Sequence, residues 1–322
     1  MTLYLRDTTF LDWRTLAVSR THLAVEEGAA GGIAPIDTLP PTGELAAEDK
    51  VVDCKGKLVT KAFGCGHHHI YSTLARGMPA PVKTPTNFTE ILKYVWWHID
   101  KRLDLPMIEA SALAAAIHCA KSGVSFVIDH HASPFAVEGS LATIAAAFDR
   151  VGIGHLLCYE ISDRDGDGPR EAGLAETDDY LAAGNQGHVG LHASFTVGDT
   201  LLAKAVDLAD RHATGIHVHV AEDGADHKDA EAKYGKRVMA RFADAGVLNL
   251  PKSILAHCIH LSAEERELLA ASDLWVVQNV ESNQNNNVGV TGYAEIADRT
   301  LLGTDGMHSD MLRSAKAAYL VG

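Results

Sequence analysis

Gly64-Cys65-Gly66-His67-His68-His69-Ile70-Tyr71-Ser72 closes an apolar approach, Lys57 to Phe63, near the N-terminal fifth of a 322-residue chain. If the approach is a β-strand, side-chain alternation puts His67 and His69 on one face and His68 on the other. Two imidazoles on one face can share one ion. Adjacent histidines also occur in solvated loops, so the remainder of the chain has to decide what the triplet is for.

From Leu58 onward, short apolar runs alternate with helical stretches. The runs are Leu58 to Gly66, Val124 to Ile128, Ile153 to Tyr159, Val189 to Phe195, Gly215 to Val220, Ser253 to Ala256, Leu274 to Val277 and Leu301 to Gly303. Between them lie amphipathic or alanine-rich helices over Met107 to Lys121, Ser140 to Arg150, Thr200 to Arg211, Ala230 to Ala245 and Ala263 to Ala271. Eight strands alternating with helices predict an α/β fold, a (β/α)8 TIM-type barrel over residues 58–322. A doubly wound sheet is the fallback, and against it the chain has neither G-x-G-x-x-G after the first strand nor a phosphate-binding G-x-x-x-x-G-K-[ST] loop. Residues 1–57 read differently, as β-like pieces (Leu3 to Phe10, Thr15 to Val18, His22 to Val25) between turns at Gly28 to Pro35 and Pro40 to Gly43: a small β-rich segment.

A barrel does its chemistry at the C-terminal ends of its strands. Here strand one ends in His67 and His69, strand two in Asp129-His130-His131, strand five in His217-Val218-His219 followed by Glu222, strand six in His257, and strand eight in Asp305; strand seven meets the polar run Gln278 to Asn287. The link between strands one and two, about 55 residues, is too long for a plain crossover and carries Tyr71, Arg76, Trp96, Trp97 and His98. Such loops are usually lids or binding loops, which assigns this one to a substrate pocket; the plainer reading makes Trp96 and Trp97 core residues of a helix packed on the barrel.

Composition narrows the partners. The net charge is −14 and the basic residues form no cluster, so the electrostatic footprint for nucleic acid or an anionic membrane is missing. No apolar run is long enough to span a bilayer, and the N-terminus lacks the pattern of a signal peptide, so the expected location is the cytoplasm. Five widely spaced cysteines without a C-x-x-C pair fit reduced thiols. Histidine is the outlier, with 18 residues, several at the ends of apolar runs.

A mouth ringed by His67, His69, His219 and Asp305 offers three imidazoles and a carboxylate to one ion and leaves a position open for water, as catalytic metal sites do. A divalent ion lowers the pKa of such a water to about 7. Glu222, three residues beyond His219, stands where it could shuttle a proton, and His257 where it could hold the water.

These residues resemble the amidohydrolase superfamily, in its deaminase and chlorohydrolase branch. The resemblance rests on Gly66 to Gly77, His217-Val218-His219-Val220-Ala221-Glu222-Asp223, Leu255-Ala256-His257-Cys258 and Gly303-Thr304-Asp305-Gly306. Asp129 to Pro134, Cys158 to Arg164 and Leu191 to Thr196 look closer still to aminohydrolases of the SsnA type. The resemblance implies one divalent metal, zinc or alternatively iron, on His67, His69, His219 and Asp305, with Glu222 as proton shuttle and His257 orienting the hydroxide. It implies attack on a ring carbon of a small N-heterocycle bearing an amine or chloride. The metal-bridging lysine of binuclear relatives has no counterpart, because strand four ends Ala193-Ser194-Phe195-Thr196. An aminohydrolase is the first expectation; a hydrolase of ring amides or chlorides, and a non-catalytic subunit, are the alternatives. Specificity is expected from Tyr71, Arg76, Trp97, His131, Glu160 and the run from Asn283 to Asn287.

Two departures from the family stand out. Lys61-Ala62 replaces the usual Pro-Gly turn before strand one, and only 17 residues follow Asp305, room for a helix over Ser309 to Leu320. Relatives continue with strands that complete a small sandwich, so the expectation is that a second copy or another chain covers residues 1–57, or that the chain is a fragment. Asp163-Arg164-Asp165-Gly166-Asp167-Gly168 matches half of a calcium loop, but Pro169 follows it and Leu174 stands where a bidentate Glu is required; a polar loop after strand three is expected. The Asn87-Phe88-Thr89 sequon carries no meaning in a cytoplasmic protein.

Overall fold

The computed structural model describes residues 1–28 and 32–321, so part of the turn read at Gly28 to Pro35 lies outside the described residues. The chain divides into two compact units, Met1–Ala62 and Phe63–Gly322.

The first unit is one five-stranded sheet. β1 (Thr2–Leu11) pairs antiparallel with β2 (Val18–Glu26), and β2 with β3 (Ile33–Ile36); β4 (Lys50–Asp53) and β5 (Leu58–Val59) run parallel to β1 on its other edge. Two expectations are corrected here. Thr15 to Ala17 belong to a tight turn, with only Val18 in a strand: Asp12 accepts from the amides of Arg14 (2.8 Å) and Thr15 (2.9 Å), and Leu16 takes a left-handed φ of 59°. Leu58 and Val59, read as the start of the first barrel strand, instead pair with Thr9 and Phe10 of β1.

In the second unit eight strands follow one another in parallel: β6 (Phe63–His68), β7 (Val124–His131), β8 (Gly154–Tyr159), β9 (Val189–Ala193), β10 (Ile216–Val220), β11 (Ile254–His257), β12 (Trp275–Gln278) and β13 (Thr300–Leu302). Two seams join the β6–β8 sheet to the β9–β13 sheet. At one, the amides of His188 and His192 donate to Leu157 and Ile161 (both 3.0 Å). At the other, the amides of Thr304 and Asp305 both donate to the carbonyl of His67 (3.0 Å). A glycine sits at each seam because nothing larger fits: a Cβ on Gly190 would lie 2.2 Å from the Tyr159 carbonyl oxygen, and one on Gly303 2.8 Å from that of His67.

β10 shows how the sequence builds the site. Its residues Ile216-His217-Val218-His219-Val220 are all buried, so neither face sees bulk water. Ile216, Val218 and Val220 join the apolar layer of Leu201, Leu202 and Ala205 from the helix Asp199–Arg211, which leaves both histidines pointing into the barrel. The barrel's own apolar cluster is Ile254, Ala256 and Val277, packed with Ile128, Trp275 and Leu301.

The helices meet expectation at five places, the C-terminal one over Met311–Val321 where Ser309 to Leu320 was expected, and depart from it at two. Leu105–Lys121, Ser140–Val151, Asp199–Arg211 and Ala263–Ala270 lie where the periodicity put them. The stretch Ala230 to Ala245 is broken in two, Gly224–Tyr234 and Val238–Asp244, because Gly235 adopts φ 65° and caps the first helix. A helix over Asp167–Ala182 follows the aspartate-rich loop; it reads poorly from sequence because acidic residues interrupt its few apolar positions and Gly168-Pro169 stand in its first turn. The loop's carboxylates are taken by protein donors: Asp163 accepts from the Gly198 amide (2.7 Å) and Asp165 from Lys101 (2.6 Å). Among the described residues, no single helix is long and apolar enough to cross a membrane.

Candidate metal centre and reaction cavity

Alternation along β6 sends His68 outward, where its Nε2 meets Ser309 Oγ at 2.9 Å, and leaves His67 and His69 facing the barrel axis. His69 and His219 each spend Nδ1–H on a backbone carbonyl, of His130 and His192 respectively, both at 2.7 Å. Those bonds fix the tautomers, so the two Nε2 lone pairs point at one place, 3.1 Å apart. His67 is aligned by His217, whose Nε2 lies 2.9 Å from its Nδ1, and its own Nε2 is buried with no partner. Asp305 Oδ1 completes the set, 3.1 Å from His69 Nε2 and 3.5 Å from His67 Nε2.

Opposed lone pairs at that spacing need positive charge between them. Four ligands about 2.1 Å from one ion would stand about 3.4 Å apart in a tetrahedron, and the four donor atoms here all lie within 4.8 Å of one another. The residues therefore fit a divalent cation. Protonation answers the same demand: although burial opposes it, Asp305 raises the His69 pKa to about 9. Burial holds His67 and His219 well below the ordinary histidine value, and the histidines around Asp305 keep it ionised despite its own burial.

The aim of these side chains is set by strained backbone at the strand ends. Ala221 (φ 47°), His257 (70°), Cys258 (52°) and Asp305 (53°) all occupy the left-handed region without being glycine. At the end of β11, His257 gives Nδ1–H to Asn283 Oδ1 (2.7 Å), which turns Nε2 toward Glu222 Oε2 (3.5 Å) and Asp305 Oδ2 (3.9 Å). Ser282 Oγ donates to Asp305 Oδ2 at 2.5 Å, and Asn286 reaches Glu222 Oε1 at 3.5 Å. Burial raises the Glu222 pKa to about 7.

Above the donors lies a cavity with an apolar, mostly aromatic wall from Phe88, Leu92, Trp96, Trp97 and Phe195. The first four belong to the long link, whose helical run over residues 88–99 includes a π-turn at Leu92–Trp96. Of the residues assigned to substrate, Tyr71, Trp97 and Glu160 line this cavity. The other three do different work. Arg76 is exposed outside the cavity and donates to the carbonyl of Met307 (2.9 Å). His131 is fully buried, bonded to Ser133 Oγ (2.9 Å). Asn283 is buried beside His257 and orients it. Sequence reasoning did not single out Phe88, Phe195 or Asp226 for the cavity; the polar run from Gln278 to Asn287 holds both Ser282, which bonds Asp305, and Asn286, which lines the cavity.

The sequence profile of the amidohydrolase family matches residues 58–321. The chain is 29% identical over 287 residues to a 5-methylthioadenosine/S-adenosylhomocysteine deaminase of Caldanaerobacter subterraneus subsp. tengcongensis, covering 85% of this chain and 64% of that protein. It is 30% identical over 268 residues to a 5'-deoxyadenosine deaminase of Methanopyrus kandleri, covering 79% and 59%. The chain thus spans a little under two thirds of the length of the curated relatives it matches. Its fold superposes on a zinc-bound adenosine deaminase from Xanthomonas campestris with a TM-score of 0.77 at 19% identity, over 99% of this chain and 73% of that one. With the barrel, the four donors and the family profile in agreement, the chain belongs to the amidohydrolase family.

Proposed function

We propose that the protein is a hydrolytic deaminase releasing ammonia from a small N-heterocycle, with one divalent ion, zinc or alternatively iron, held by His67, His69, His219 and Asp305. The observation that carries this reading is the pair of Nε2 lone pairs turned on each other at 3.1 Å, beside a carboxyl tuned to about 7. When bound, the ion would supply a water acidified to near-neutral pKa.

The chain's own groups do the remainder. Glu222, poised between acid and base at neutral pH, takes a proton from the attacking water and returns it to the ring or to the departing amine. His257, locked through Nδ1 to Asn283, turns Nε2 to the same place and orients that water. Asp305 keeps one oxygen for the ion because Ser282 holds the other. Trp96, Trp97 and Phe195 stack on a planar ring and keep bulk water out. That the named relatives are deaminases favours this reading over a hydrolase of ring amides or chlorides.

The test is metal analysis of the purified protein together with a screen for ammonia release from purines, pyrimidines and triazines. Glu222→Gln should keep the metal and slow turnover by about 10²–10⁴-fold. A loss below tenfold, or release of chloride or a ring-opened product instead of ammonia, would reject the proposal.

A further inference from the structure

Glu160 follows the last residue of β8, and its carboxylate is 4% exposed. Oε2 is held by His130 Nδ1 at 3.1 Å. Oε1 has no donor within hydrogen-bonding distance among the described residues; His192 Nε2 stands off at 3.9 Å. Burial favours the acid form, but His192, His130 and Arg164 outweigh it and hold Glu160 well below the ordinary carboxylate range. A carboxylate oxygen with no protein donor is left free to accept one from a ligand. This one faces the reaction cavity, with a carboxylate oxygen within 4.8 Å of ring nitrogens of both His69 and His219.

The rest of the lining agrees in sign. Glu222, Asp223, Asp226 and Asp305 share the cavity, and no lysine or arginine lines it among the described residues. Arg164, stacked on Trp97 at 5.2 Å, is not part of the lining and forms ion pairs with Asp100 and Asp165, with its Nη1 left without a partner. Apart from the ion that its floor would hold, an anionic group brought into this cavity would meet carboxylates and no lysine or arginine among the described residues.

Resting on the deaminase reading, we propose that Glu160 accepts an N–H or O–H carried by the substrate ring, or by a group attached directly to it. The substrates are accordingly neutral or cationic heterocycles and their ribosides, not phosphorylated or carboxylated ones. Proximity sets the first part: the carboxylate lies within one ring's reach of the metal donors. Charge sets the second.

The experiment is calorimetric binding to the zinc-loaded protein, using adenine, guanine, cytosine, their ribosides and the riboside 5'-monophosphates, with ammonia release followed in parallel. At least one base or riboside should bind, and its monophosphate should bind at least a hundredfold more weakly. Glu160→Gln, which keeps shape and removes charge, should weaken the base or riboside about tenfold or more and narrow its advantage over the monophosphate, with zinc content unchanged. If the variant fails to fold, the wild-type comparison still decides. A monophosphate bound as tightly as its base or riboside overturns the proposal, as does a folded Glu160→Gln protein with unaltered affinity, or binding of none of the uncharged probes. Binding with the expected pattern but no ammonia would instead count against the deaminase reading, and ammonia from a monophosphate would sustain that reading while overturning this one.

Discussion

Arg241 and the histidine ring are both buried polar clusters, and they are built on opposite terms. Arg241 is 4% exposed, and its guanidinium donates to Asp199 Oδ1 (2.9 Å), Ser194 Oγ (2.9 Å) and the carbonyls of Ser194 (3.0 Å) and Val197 (2.6 Å), over the Tyr234 ring at 3.9 Å. Three nitrogens meet four acceptors, and the cluster ties the helix Val238–Asp244 to the end of β9. At the barrel mouth, His67 Nε2, Asn279 Oδ1, Asn283 Nδ2 and Gln278 Oε1 are buried without partners. A buried group left unsatisfied costs about 1–3 kcal/mol. The satisfied cluster holds the fold; in the other, His67 Nε2 stands among the donors that fit a cation.

The sharpest way to break this contrast is to remove one member from each side. His219→Ala deletes one of the opposed lone pairs, and the cation then has no closed set of donors. Metal affinity should fall by more than the 10–100-fold typical of losing a mere supporting partner, and metal-dependent turnover with it, while the folded barrel persists. Inductively coupled plasma analysis after dialysis reads the outcome; stoichiometric metal in the variant would show that His219 is not a ligand. Arg241→Met should do the reverse. Two carbonyls and a hydroxyl lose their donors, for a loss of about 2–4 kcal/mol, or roughly 3–8 °C in Tm for a chain of this size. Metal content should not change, and a variant that kept its Tm but lost metal would erase the distinction between the clusters.

The difference also explains what could be read in advance. Strand ends were legible because both-face burial makes each barrel strand a short apolar run, so a histidine inside Ile216 to Val220 stands out against it. His67, His69, His219, Glu222, His257 and Asp305 all lie at such interruptions. The roles of Arg76 and Asn283 were not legible, since both were placed by loop membership, and loop membership does not say which way a side chain turns. Arg76 turns out to the carbonyl of Met307, and Asn283 turns under His257. In the first unit, the turn at Asp12 to Leu16 hid because a left-handed leucine has no sequence signature. The break at Gly235 was visible in principle: glycine after a helical stretch is the commonest stop signal.

Asp129 lies between the two kinds of cluster and gives the finest test of the contrast. It is fully buried near the end of β7; Oδ1 accepts from the Ile70 amide at 2.8 Å, and Oδ2 has no partner. Burial outweighs the Ile70 bond and pushes its pKa up to about 7, whereas an unfolded aspartate titrates near 3.9. Between those values the unfolded chain has released a proton that the folded protein still holds. This group's contribution is therefore complete below about pH 4 and is lost as pH rises toward 7, at up to about 1.4 kcal/mol per pH unit. Asn at this position keeps an acceptor for Ile70 and puts an uncharged NH2 where the acid carries its proton, so it should escape the loss. Urea unfolding of the metal-free protein at pH 5, 6 and 7 should show the wild type falling relative to Asp129→Asn by about 2 kcal/mol across that range. Parallel profiles would mean that Asp129 is already ionised when folded; its bare Oδ2 would then belong with the unsatisfied groups of the mouth rather than with the protonated supports of the wall.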